Sequence, residues 1–199
     1  MSTGTRAMRK LSAQLVSGLR PLTAETEVVP ALSRALSLVR GRPVRLREAA
    51  FPPATASGVW VDRTDHDLIV YEENTGPEHQ VVIIGHEAWH MFAGHGGDHG
   101  AAAARAAGTE AMEELAAFVA AVAGAARTGP SPVRHMDAGL HFAARTDGHE
   151  LREELEAEHF GFRFATAVRA ALDEARAAED PRNLTGRIQA SMAHRFRPV

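Results

Sequence analysis

The chain has 199 residues, of which 45% are hydrophobic and 6% aromatic, and its formal net charge is -3. A chain of this length can bury enough apolar surface to fold as one globular domain, and its many alanines favour helices. Because it contains no cysteine, disulfide bonds, thiolate metal ligands and a cysteine nucleophile are all excluded. Any metal would be bound by histidine and carboxylate side chains.

Neither a membrane segment nor a nucleic-acid-binding surface is expected. The N-terminal stretch lacks an uninterrupted apolar run of signal-peptide length, and no segment approaches the ~20 apolar residues that span a bilayer. A cytoplasmic location is the resulting expectation. Basic residues are scattered among acidic ones, so the arginines between Arg40 and Arg47 indicate a solvated face and direct nucleic-acid binding is not expected.

Two helices are predicted at the start of the chain, followed by three strands. Apolar residues have helical spacing from about Met8 to Leu19 and from about Ala24 to Val39. Next come three segments rich in β-branched and aromatic residues, separated by turn-forming residues. These segments are Pro43–Ala49, Gly58–Arg63 and Asp67–Glu73. They predict a small antiparallel sheet.

A further helix is predicted from Pro77 or Glu78 to about Ala93, because the apolar run in this segment is longer than a strand. Thr75 lies three residues before Glu78, which resembles a capping box, and Pro77 suits a first helical turn. Gly94 follows at a position typical of a helix end.

The rest of the chain is predicted to be mainly helical. An alanine-rich segment from Ala101 to Arg127 indicates one or two helices, with a break at Gly108. A long amphipathic pattern from His149 to Ala178 predicts another helix. One face of that helix is expected to carry Leu151, Leu155, Phe162 and either Ala165 or Thr166.

The segment from His86 to His90 reads H-E-x-x-H and carries the candidate metal site. On a helix, two histidines four residues apart project from one face, at a separation that a single zinc ion can bridge. Glu87 lies beside them, where it could accept a proton from a metal-activated water. The pattern predicts zinc ligands at His86 and His90 and a general base at Glu87. Solvated or core-satisfied side chains are the alternative.

A catalytic zinc usually takes three protein ligands, so a third one is needed. The histidines after His90 do not fit the metzincin spacing, because Ala93 and Gly96 stand where that pattern requires glycine and histidine. Glu110 lies twenty residues after His90, a separation similar to that of thermolysin-like enzymes. It is therefore one candidate.

Two other candidates lie in the segment Glu150–Ala165, within the long C-terminal helix. Residues 154–161 fit the pattern E-x-E-A-x-x-F-(A/G), in which Glu154 and Glu158 share one helix face. One carboxylate could bind the metal directly, and the other could orient a metal-binding side chain through a hydrogen bond. A plain solvated helix face is the alternative.

The order of these features resembles the ImmA/IrrE family of bacterial metallopeptidases. The strands in GVWVDRTDHDLIVYEE are followed by a helix with IIGHEAWH and a later helix with ELEAEHFG, and the similarity covers roughly residues 44–165. Members of that family pair an H-E-x-x-H helix with a glutamate helix of the E-x-E-A-N-x-F-A type. The resemblance implies that His86 and His90 bind zinc, that Glu87 is the general base, and that Glu154 is the third ligand with Glu158 as the alternate.

This chain departs from the family pattern at two points. Glu158 stands at the asparagine position, and the gap between His90 and Glu154 is longer than usual. The expected fold is α+β and zincin-like, mostly helical, with a small antiparallel sheet packed beside the H-E-x-x-H helix. We expect a single metallopeptidase-like domain. Its parts would be N-terminal helices in residues 1–41, a zincin-like core in 43–165 and a C-terminal helical tail in 166–199.

The resemblance also implies a function and a partner. Family members act in the bacterial cytoplasm, often beside a helix-turn-helix repressor that they cleave or antagonise, and some relatives are toxin components of toxin-antitoxin pairs. The expected function is a zinc-dependent metalloendopeptidase that cleaves or antagonises a regulatory protein, either a helix-turn-helix regulator or an antitoxin. The alternative is a non-catalytic, zinc-stabilised toxin or regulator module that binds a helix-turn-helix partner.

Overall fold

The computed structural model describes residues 3–23, 27–53, 55–95, 109–125, 133–137 and 148–179. Within these ranges the protein has mixed α and β structure, is mostly helical and contains a small sheet. None of the helices in these ranges is long and apolar enough to cross a membrane. The elements in chain order are α1 (Thr3–Gly18), α2 (Val28–Arg40), β1 (Val44–Ala49), β2 (Gly58–Arg63), β3 (Asp67–Glu72), α3 (Pro77–Ala93), α4 (Thr109–Ala125), β4 (Val133–Asp137) and α5 (Gly148–Glu179).

The sheet has the strand order β1-β3-β2-β4 and is mixed. β2 is antiparallel to both β3 and β4, whereas β1 is parallel to β3, with Leu46 opposite Ile69. The prediction of an antiparallel sheet is therefore wrong for β1. The three strands alternate in direction along the chain, and β1 lies beside β3 instead of beside its neighbour in sequence. β4 was not predicted.

The two central strands are buried on both sides. Alternate residues of a strand point to opposite faces, and here each face contacts a separate group of apolar side chains. On one face Trp60, Ile69 and Tyr71 join the core formed by α1, α2, α3 and α5. On the other face Val59, Val61, Leu68 and Val70 pack with Phe51 and with Leu115 and Phe118 of α4.

α3 has the predicted bounds but a different N-terminal cap. Pro77 occupies the first turn, and Gly94 adopts the left-handed conformation, with a φ of 72°, and donates its N–H to the carbonyl of His90. The residue that caps the N-terminus is Gly76, without a side-chain hydrogen bond, so the capping box predicted for Thr75 and Glu78 is wrong. The helix begins one residue later than that box requires.

α5 buries a different face from the predicted one. Its buried residues are Ala157, Phe160, Gly161, Phe164, Val168 and Ala171, all on the side that packs against α3 and α1. Leu155 and Phe162, which were predicted to share an apolar face, are 52% and 53% exposed. The helix continues unbroken across residue 165, so the predicted core and C-terminal tail share it. The predicted break at Gly108 and the tail beyond Glu179 lie outside the described residues.

A buried carboxylate joins α2 to the sheet. Asp67, with 0% of its side chain exposed, accepts hydrogen bonds from Trp60 Nε1 at 2.9 Å and from Arg40 Nε at 3.1 Å. Arg42 Nε lies 3.4 Å from the same carboxylate. Because the negative charge satisfies three buried or partly buried donors, it fixes the angle at which α2 meets β3.

We expect Asp67→Asn to lower the free energy of unfolding by about 2 kcal/mol, because the arginines lose their counter-charge while they stay partly buried. Urea denaturation would measure the loss. Asp173→Asn is the matched control, since the exposed Asp173 pairs with two arginines of its own helix, and its loss should stay below about 0.5 kcal/mol. Equal losses in the two variants would contradict a special role for Asp67.

Candidate metal centre

The segment that carries the candidate ligands is the most deeply buried part of α3. Every residue from Ile83 to Met91 is buried, because the helix packs against α5 on one side and against β2 and β3 on the other. Such burial of His86, Glu87 and His90 would be costly without polar contacts, and the two histidines contact each other and Glu154.

Two imidazoles and one carboxylate converge between α3 and α5. His86 Nε2 and His90 Nε2 are 3.0 Å apart, and each lies 3.4 Å from an oxygen of Glu154. Nitrogen and oxygen ligands at ~2.0–2.2 Å from a tetrahedral ion are themselves ~3.3–3.6 Å apart. The two histidine–glutamate separations of 3.4 Å fit one shared ion, and the 3.0 Å between the two nitrogens is slightly shorter. Among the residues that the structure describes, His86, His90 and Glu154 form a group that could hold a metal ion.

The candidate centre is open on the side of Glu154. The Glu154 side chain is 41% exposed, whereas both histidines are buried. A metal in this position would therefore have protein on one side and access to solvent on the other. That asymmetry leaves room for a water or a substrate group as a further ligand, as catalytic sites require.

Two glycines allow α3 and α5 to approach closely. A Cβ atom on Gly161 would lie 2.6 Å from the carbonyl oxygen of Val82, and one on Gly85 would lie 3.1 Å from Gly161 Cα. The backbones of the helices are thus in direct contact at this crossing. Glu154 precedes Gly161 by about two helical turns, so the crossing holds its carboxylate beside His86.

The Glu87 carboxylate lies against the start of β2. A Cβ on Gly58 would lie 2.8 Å from Glu87 Oε1 and 2.6 Å from Ile83 Cγ2, so glycine at position 58 leaves the space that the carboxylate occupies. His86 and Glu87 border a cavity of about 30 Å³. Its other lining residues are Ser57, His79, Val82, Ile83, Glu158 and Phe162. A volume of this size that borders several polar side chains can hold a water molecule.

The other two candidates for the third ligand lie elsewhere. Glu158 is exposed on α5, one turn after Glu154, and borders the cavity beside His86 and Glu87 without joining the group of three ligand atoms. Glu110 falls within α4, and its side chain lies outside the described part of the structure.

A second histidine–glutamate pair lies next to the candidate ligands and was not predicted. His95 Nε2 is 3.7 Å from Glu153 Oε1, and the His95 ring lies edge-on to the ring of His90, with centroids 5.4 Å apart. This pair joins the C-terminal end of α3 to the residue before Glu154. The adjacency of Glu153 to Glu154 in the sequence was the available signal.

No protein-family model, curated protein or solved structure matches this chain. The ImmA/IrrE resemblance therefore rests on short sequence motifs alone.

Proposed function

We propose that this protein is a zinc-dependent metallopeptidase with a zincin-like active site, which cleaves or antagonises a regulatory protein. The observation that carries the proposal is the convergence of His86, His90 and Glu154 on one point. Glu87 borders the same small cavity as His86. Ordinary buried polar side chains would not require two imidazoles and a carboxylate to face one another at such short range.

The ligand chemistry favours zinc over harder cations. Two imidazoles with one carboxylate are the ligand set of several zinc peptidases, whereas magnesium and calcium prefer oxygen ligands alone. The buried histidines on α3 and the partly exposed Glu154 on α5 would hold the ion from two sides. Zinc, when bound, would supply a Lewis acid that acidifies water and polarises a peptide carbonyl.

Glu87 would perform the proton transfers. Its side chain is buried and borders the cavity beside His86, within reach of a water placed there. As the water oxygen attacks the carbonyl carbon, Glu87 would accept the proton of that water. It would then deliver the proton to the amine nitrogen as the C–N bond breaks. Packing against Gly58 would keep the carboxylate in place through both transfers.

The proposed substrate is a cytoplasmic protein with a regulatory role, a helix-turn-helix regulator or an antitoxin. This part of the proposal rests on the motif resemblance. The site itself supports a polypeptide substrate in general, because its open side lies at the surface where α3 and α5 meet.

Metal analysis of two variants tests the proposal. The wild type should bind about one zinc ion per chain, and Glu154→Gln should weaken zinc binding by more than ~100-fold, because losing a direct ligand costs more than the 10–100-fold typical of supporting residues. Glu158→Gln is the matched control on the next turn of α5 and should bind zinc normally. The measurement is zinc stoichiometry by mass spectrometry with a competitive chelator titration.

The outcomes separate the alternatives. Zinc lost in Glu158→Gln but kept in Glu154→Gln would exchange the roles of the two carboxylates. The zinc measurement is made in a buffer whose pH keeps the histidine and carboxylate side chains deprotonated. A wild-type protein that binds no zinc under this condition would refute the proposed function.

A further inference from the structure

Phe162 is an exposed aromatic residue at the margin of the candidate metal centre. Phe160 and Phe164, its neighbours on α5, are fully buried, whereas Phe162 is 53% exposed. It borders the cavity of about 30 Å³ that also contacts His86 and Glu87. An apolar ring therefore lies between the proposed reaction site and solvent. Phe162 is neither part of the buried core nor a metal ligand.

A larger groove begins where this cavity ends. It has a volume of about 560 Å³ and lies between the first turns of α2 and α3 and the middle of α5. His79, Val82 and Phe162 border both spaces, so the two are adjacent along the seam between α3 and α5. The volume falls within the range typical of ligand sites.

The walls of this groove are mainly apolar. Its apolar lining residues are Val28, Val29, Val81, Val82, Phe162, Ala165, Val168 and Leu172. Among the charged residues of the lining, the exposed Glu78 and Arg169 pair with each other at 3.1 Å. A charged substrate side chain placed over Phe162 would lose water there, and Phe162 and Val82 offer it no polar group in return.

We propose that Phe162 is a specificity-determining residue that selects substrates with an apolar side chain next to the cleaved peptide bond. The inference rests on the proposed function and names the substrate class of the same site. The cavity beside Glu87 is too small for anything beyond water, so a substrate side chain that flanks the reacting carbonyl on this side of the centre needs other space. The apolar groove offers that space next to the cavity, and Phe162 borders both.

Two small hydroxamates, which bind zinc through their own oxygens, test this selection without catalysis. N-acetyl-leucine hydroxamate should bind the zinc-loaded wild type about tenfold more tightly than N-acetyl-serine hydroxamate, a ratio typical of one small apolar group in a pocket. In Phe162→Ala the ratio should fall toward one, and Phe162→Met should largely restore it. Calorimetry measures the dissociation constants.

Leu155→Ala is the matched control, because Leu155 lies on the same helix with 52% exposure and outside the linings of both spaces. It should leave the ratio unchanged. Cleavage of unfolded β-casein, mapped by mass spectrometry, gives a second readout: apolar residues should flank the sites cut by the wild type, and this bias should disappear in Phe162→Ala.

The outcomes are distinguishable. An unchanged leucine-to-serine ratio and unchanged cleavage sites in Phe162→Ala would overturn the role of Phe162 and leave the metallopeptidase proposal standing. A wild type that holds zinc but binds neither hydroxamate and cuts no casein would overturn both proposals. Equal loss of the ratio in Leu155→Ala would show a general effect of α5 and would also overturn the role of Phe162.

Discussion

Replacing Glu87 with glutamine should leave zinc bound and slow peptide cleavage by a factor of about 10²–10⁴. Glutamine has nearly the same size, so it fits the space beside Gly58, but its amide cannot accept the proton that the attacking water releases. Because Glu87 is not one of the three converging ligands, zinc affinity should change little. The variant therefore separates metal binding from chemistry.

The measurement is the rate of β-casein cleavage by protein with verified zinc content. Glu174→Gln, an exposed glutamate on α5, is the control and should cleave at the wild-type rate. Full activity in Glu87→Gln would exclude Glu87 as the base. If the wild type binds zinc and a regulatory partner but cleaves neither casein nor that partner, the non-catalytic zinc-stabilised module becomes the better description.

Replacing Gly161 with alanine should destabilise the protein and weaken zinc binding together. The new methyl group would lie 2.6 Å from the carbonyl oxygen of Val82, a backbone atom that cannot rotate away. Relief requires α5 to move from α3, which carries Glu154 away from His86. Overpacking of this kind costs about 1–3 kcal/mol. Alanine is otherwise the better helix former by about 1 kcal/mol, so a net loss of stability identifies the contact as the cause.

Urea denaturation of metal-free protein and a separate zinc titration would measure the two effects. Gly76→Ala is the control, because a Cβ at Gly76 meets no atom of the described residues within 4 Å. Its stability should change by less than about 1 kcal/mol and its zinc affinity should be normal. A Gly161→Ala protein as stable as the wild type, with unchanged zinc affinity, would show that the helix crossing does not position Glu154.

Local features of the fold were predictable from the sequence, and pairings between distant segments were not. α3 was predicted with its observed bounds, because the apolar run, Pro77 and Gly94 all lie within the helix or at its ends. The parallel pairing of β1 with β3 depends on which edge of the hairpin β1 joins, and no local pattern encodes that choice. β4 pairs with β2 across some seventy residues of sequence, which a local pattern also does not encode.

The same division applies to the candidate site. Helical spacing alone predicted that His86 and His90 share one face of α3 with Glu87 beside them. The choice between Glu154 and Glu158 was open, since both lie on one side of the same helix and only the rotation of α5 against α3 distinguishes them. That rotation is set by the contact of Gly85 with Gly161. It also exposes Leu155 and Phe162, which is why the predicted apolar face was wrong.

The close crossing of α3 and α5 has a consequence for how this centre can vary. The packing of α3 against α5 holds the two histidines next to Glu154. The connection between His95 and Gly148 therefore need not set the distance between them. Lengthening a connection of this kind costs little, because loop-closure entropy grows only slowly with length. The connection could therefore change in length while the distances between the two imidazoles and the carboxylate stay the same.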